Sequence, residues 1–76
     1  MKYELTENTK QINGITLYQI KALKDFVDVK KGDLGGWIKK QSNLSQGGNC
    51  WVSDNAWVSG DARVYGYARV YGNAMI

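Results

Sequence analysis

The residues best suited to chemistry near neutral pH are almost absent from this chain. It has no histidine, and Cys50 is its only cysteine. General acid–base catalysis needs a group whose pKa lies near the working pH, and histidine supplies it most readily. Without a base beside it, Cys50 is expected to serve as a small apolar filler rather than a nucleophile. One cysteine and scattered carboxylates give no metal-ligand cluster, so no metal and no cofactor are expected. Gly32-Asp-Leu-Gly35-Gly36 lacks the spacing of a phosphate-binding loop and reads as a turn ahead of Trp37-Ile38. Asp54 and Asp61 sit where corners are expected, the ordinary place for a turn-forming aspartate. What remains is recognition chemistry. Trp51, Trp57, Arg63, Tyr65, Arg69 and Tyr71 are of the types enriched where proteins bind one another, and they form the candidate partner-binding set.

These residues recur on a fixed spacing. Asp61-Ala-Arg-Val-Tyr-Gly66 is followed at once by Tyr67-Ala-Arg-Val-Tyr-Gly72, and NAWVSG, NCWVSD and NLSQGG precede them back to Asn43. One column holds Leu44, Cys50, Ala56, Ala62, Ala68 and Ala74, and a second holds Val52, Val58, Val64, Val70 and Ile76. Spacings of two then four, locked to six, cannot stay on one face of a helix. Short strands satisfy them. Ala and Val of each A-x-V point the same way, and the three residues between turn a corner, with Gly free to adopt positive φ. Three strands and three corners return the chain to its starting side after 18 residues, a unit that shares its core only by stacking. Stacking at 18 places Trp51 beside Arg69, Lys39 in line with Trp57 and Met75, and Ser45 beside Arg63. Tyr65 and Tyr71 take equivalent outward places near two corners.

Val58-Ser-Gly-Asp-Ala62-Arg and Val64-Tyr-Gly-Tyr-Ala68-Arg resemble the hexapeptide-repeat, left-handed parallel β-helix family. The expectation is an all-β chain with about two β-helix coils over 37-76. Residues 1-36 form an N-terminal antiparallel β-hairpin cap and Gly-rich loop. Asn13-Gly14 between apolar-alternating flanks marks the hairpin, with Ile15, Leu17 and Gln19 on one face and Thr16, Tyr18 and Ile20 on the other. The wider sequence, "ALKDFVDVKKGDLGGWI" with "NLSQGGNCWV", is similar to small uncharacterised bacterial and prophage-encoded β-helix proteins, some labelled transferases from the repeat alone. The hexapeptide family implies acyl transfer from acyl-CoA with a histidine base. This chain lacks that base and the family's extra coils and long loop. The resemblance therefore points away from an enzyme.

The expected function is non-catalytic protein binding. One form is a phage-encoded inhibitor of a host defence protein, as anti-CRISPR proteins are; the alternative is a shortened, inactive acyltransferase relative acting as an assembly module. No charge, Pro or cap follows Met75-Ile76, so Val70, Ala74, Met75 and Ile76 are expected to form a self-association surface in a homodimer. The net charge of +3 comes from eight lysines up to Lys40 interleaved with acidic residues, plus Arg63 and Arg69. No continuous basic groove results, so nucleic acid is not the expected partner. No leader and no long apolar run occur, so the expected setting is the cytoplasm of a bacterial host cell, with no membrane contact.

Overall fold

The computed structural model describes all 76 residues, Met1–Ile76, and contains no α-helix. Strand β1, Tyr3–Ile12, pairs antiparallel with β2, Ile15–Ala22, through the Asn13-Gly14 turn. Both turn residues have positive φ, 51° and 82°, which is what a two-residue hairpin with right-handed strand twist demands. β2 pairs antiparallel with β3, Leu34–Ile38, and β3 pairs parallel with β5, Trp57–Val58, giving one sheet in the order β1-β2-β3-β5. β4, Trp51–Val52, pairs parallel with β6, Arg69–Val70. A single 3-10 turn, Gln41–Asn43, precedes the parallel bridge Leu44↔Val64.

Gly35 and Gly36 lie inside β3, not in a loop before it. A Cβ on Gly35 would stand 2.6 Å from the Val52 carbonyl oxygen, and one on Gly36 2.6 Å from that of Ala56. The two glycines are there because the repeat region's backbone passes directly against them. β3 thus carries the chain from the hairpin into the repeats without a break.

The repeat has a different phase from the one read from its sequence. Trp51↔Arg69 and Trp57↔Met75 pair at a separation of 18, as expected. Trp37↔Trp57, Ile38↔Val58 and Leu44↔Val64 pair at a separation of 20. Two extra residues therefore lie between Leu44 and Trp51, in the corner around Gln46-Gly47-Gly48. Trp37, not Lys39, is the neighbour of Trp57. In register Asn43, not Ser45, stands opposite Arg63 and Leu44 opposite Val64, with Ser45 N donating to the Val64 carbonyl. Leu44 belongs to the branched column with Ile38, and Gly36-Trp37-Ile38 is a unit of the same kind as Ala56-Trp57-Val58.

Corners repeat faithfully. Asp54, Gly60, Gly66 and Gly72 all have φ between 59° and 66°, and each is followed by a turn hydrogen bond such as Ala62 N to Ser59 O at 3.3 Å. The inner columns fill a core of Ile38, Leu44, Cys50, Val52, Ala56, Val58, Val64 and Val70, joined by Trp51 of β4 and by Tyr3, Ile20, Ala22 and Val29 from the N-terminal segment. Leu17 is also fully buried but lies outside this cluster, on the opposite face from Ile20. Ala68, Ala74 and Ile76 are exposed although their columns face inward earlier in the chain. An inward position is buried only where another pass lies over it. No helix is long and apolar enough to cross a membrane.

Candidate functional site

Of the six residues assigned to partner binding, Trp51 is not available. It is 3% exposed, and both Tyr3 and Phe26 pack edge-on against its ring, at centroid distances of 6.5 and 5.2 Å. The N-terminal segment covers the β4 side of the repeats and turns that tryptophan into core. Trp57, in the same column, lies on another side and is half-buried between Trp37 and Met75. Trp37 in turn carries the Lys10 ammonium 4.6 Å above its ring. Arg69 is exposed, but its guanidinium donates to Asp28 at 2.9 Å, tying the loop after β2 to β6. That guanidinium holds the Asp28 carboxyl below the usual carboxylate range.

Arg63, Tyr65 and Tyr71 remain on the surface, and Tyr67 joins them. The three tyrosines are 70%, 83% and 68% exposed, all on the pass from Ala62 to Asn73. Arg63 has no hydrogen-bond or ion-pair partner, whereas Arg69 has one. Tyr67 was legible as the corner residue opening YARVYG; only its near-complete exposure distinguishes it. Of the residues assigned to self-association, Val70 is buried, and Ala74, Met75 and Ile76 are exposed.

Cys50 is wholly buried, as a core filler would be, but it has a charged companion that the sequence did not suggest. Lys2, only 1% exposed, donates from Nζ to the Cys50 carbonyl at 2.7 Å and the Gly47 carbonyl at 3.2 Å, and lies 3.2 Å from Cys50 Sγ. A buried ammonium is tolerable only with such acceptors around it. Here they are the carbonyls of the widened corner. Gln46 completes the join: its Oε1 accepts from Lys2 N at 2.8 Å and Tyr3 N at 3.2 Å, and its Nε2 donates to Tyr3 O. Tyr3 OH shares its single proton between the carbonyls of Leu44 and Gln41. Burial, with the Cys50 sulfur adding to it, pushes the Tyr3 phenol up to about 12.

The widened corner also makes a recess of about 520 Å³ on the side where Leu44 meets Val64. Gln41, Ser42, Ser45, Gln46, Arg63 and Tyr65 line it over a floor of Leu44 and Val64. Asn43, between Ser42 and Leu44, ties this stretch to the next pass. Its Oδ1 accepts from Lys39 N and Lys40 N, and its Nδ2 donates to the Gly60 and Ala62 carbonyls at 3.1 and 2.9 Å. Every hydrogen-bonding position of that buried amide is thereby used.

No protein-family profile matches the chain. Over 61 aligned positions it is 39% identical to a protein of Escherichia coli (strain K12) named "Uncharacterized acetyltransferase YdcK". The match covers 70% of this chain but only 19% of that protein, so the chain corresponds to a small part of its relative.

Proposed function

We propose that the chain is a non-catalytic binding module built on a left-handed parallel β-helix. In this reading residues 37-76, with Gly36 as the first small position, make about two coils, and residues 1-36 cap one end. Parallel pairing at a separation of 18 and the recurrent positive-φ corners support the architecture. The function rests on one observation: Tyr65, Tyr67 and Tyr71 stand 70%, 83% and 68% exposed along a single pass, with Arg63 unpaired beside them. Large aromatic side chains left in water, next to an arginine, are the make-up of a protein-binding surface. A bacterial host defence protein is one partner of that kind. The edge carrying Ala74, Met75 and Ile76 is open to pairing, and a second copy of the chain placed tail to tail is the proposed partner in a homodimer. Light scattering on wild type and a Met75→Asp, Ile76→Asp variant reads this directly, as a dimer mass that falls to a monomer.

The name of the Escherichia coli relative favours a second reading, a shortened acyltransferase-like module. One experiment separates the two. The protein is immobilised and exposed to bacterial lysate, and in parallel is assayed for acetyl transfer from acetyl-CoA to amine and sugar acceptors. The first reading expects a retained protein lost on Tyr65→Ala, Tyr67→Ala, Tyr71→Ala substitution, and no turnover. Turnover abolished by Asp61→Asn, with nothing retained, would replace it by the second.

A further inference from the structure

We propose that the recess beside Arg63 is a carboxylate-binding pocket that takes an aspartate or glutamate side chain from an acidic peptide segment of a protein partner. The proposal rests on the binding-module reading above and names what the partner brings to it. The donors are in excess. Arg63 has no partner, the Ser42 hydroxyl has none, and Ser45 Oγ accepts from Gly47 N while its own proton stays free to donate. Among the acceptors nearby, the Gln41 carbonyl shares the Tyr3 OH proton with that of Leu44, and the Gln46 amide is committed to the backbone of Lys2 and Tyr3.

No carboxylate lines the recess. Asp61 is the acidic group that feels Arg63, and it is held at 3.0 Å by Lys40, which keeps its carboxyl below the usual range. Around Asp61 three cations, Lys39, Lys40 and Arg63, are set against one aspartate, so the charge next to Arg63 is net positive. A guanidinium presents a planar fork of N–H groups that matches a carboxylate with two parallel hydrogen bonds. Tyr65, on the rim, supplies a flat wall for the methylenes of the entering side chain. Tyr67 follows Tyr65 across the Gly66 corner and is 83% exposed, so a chain flanking an inserted side chain has an aromatic surface beyond the rim. That continuity favours a peptide segment over a free small anion.

The sequence irregularity is what makes this site. The two extra residues fall just after Ser45, whose N donates to the Val64 carbonyl at 2.9 Å, and Ser45 and Gln46 line the recess together with Arg63 and Tyr65.

The test is an amide chemical-shift titration of the full chain with a capped glutamate-containing tetrapeptide, its glutamine counterpart and inorganic phosphate. The glutamate peptide is expected to move the amides of 41–46 and 63–65 and to bind at least about tenfold more tightly than the glutamine peptide. Arg63→Gln, an exposed substitution, abolishes the response, and Arg69→Gln leaves it intact. Equal binding of the two peptides, no binding of either, or an undiminished response in Arg63→Gln would overturn the proposal. So would an equal loss in Arg69→Gln, since that means diffuse charge, or tighter binding of phosphate, since that means a free-anion site. The titration involves no retained partner, so its failure condemns the pocket alone and leaves the tyrosine surface to its own experiment.

Discussion

Single residues in this chain owe their roles to what covers them rather than to their type. Ala56 and Ala68 occupy the same column, yet Ala56 is fully buried and Ala68 is exposed. Ala56→Arg is expected to unfold the protein, with a loss above about 4 kcal/mol, because an unpaired charge replaces a methyl in the core. Ala68→Arg is expected to shift stability by less than about 0.5 kcal/mol, as surface substitutions do. Thermal melts of the two variants check this pair. Tyr3 gives a second expectation. Its folded-state pKa, about 12 against an ordinary 10.0, means that the fold holds the phenol proton more tightly than the unfolded chain does. The stability this contributes is fully present below pH 10 and is lost as pH rises towards 12. Urea titrations should show an alkaline decline in that window, smaller in Tyr3→Phe. The tryptophans were readable only in part: Trp51 and Trp57 are identical in column and motif, and their different burial depends on where Tyr3 and Phe26 come to rest. Lys2 was not readable at all. A lysine near a chain start ordinarily reads as solvated, and its carbonyl acceptors appear only when the corner at Gly47-Gly48 is placed beside it.

Among the elements, the hairpin and the corners were legible because each depends on local backbone chemistry. Asn13-Gly14 supplies the two positive-φ residues its turn needs, and a Gly recurs at three of the four regular corners. The fourth corner has Asp54 at φ 59°, a conformation an L-residue adopts only at a cost. Asp54→Gly is therefore expected to be neutral to stabilising by up to about 1 kcal/mol, and Gly60→Ala destabilising by about 1 kcal/mol. Asp54 Oδ2 also accepts from Gly72 N at 3.2 Å, which sets a limit to the gain. Chemical denaturation of both variants reads the signs. The phase of the first repeats was not legible as read. NLSQGG has the length of a unit, and counting in sixes carries straight through it. The clue lay in Gly36-Trp37-Ile38, whose small-x-branched order matches Cys50-Trp51-Val52. Accepting it as a unit forces two surplus residues into the Gln46 corner. Gly35 and Gly36 look like loop residues in the sequence because glycine ordinarily weakens strands; here the approach of Val52 and Ala56 excludes a Cβ.

Across the whole molecule, two kinds of surface separate. The hairpin side is closed by Tyr3, Phe26, Lys2 and the Arg69–Asp28 pair, and it consumes Trp51 and Arg69. The remaining surface leaves Arg63 and three tyrosines to solvent. The proposed division of labour is that the first side keeps a short repeat folded and the second recognises a protein. The most direct measurement is the affinity of the protein retained from bacterial lysate for wild type and for the Tyr65→Ala, Tyr67→Ala, Tyr71→Ala variant, by titration calorimetry. All three side chains are exposed, so the variant should melt close to wild type. Aromatic anchors of this kind are each worth roughly 1–2 kcal/mol or more on truncation, so binding is expected to weaken at least about tenfold. An unchanged affinity in a variant that is folded would contradict the account, because the partner would then be using some other face.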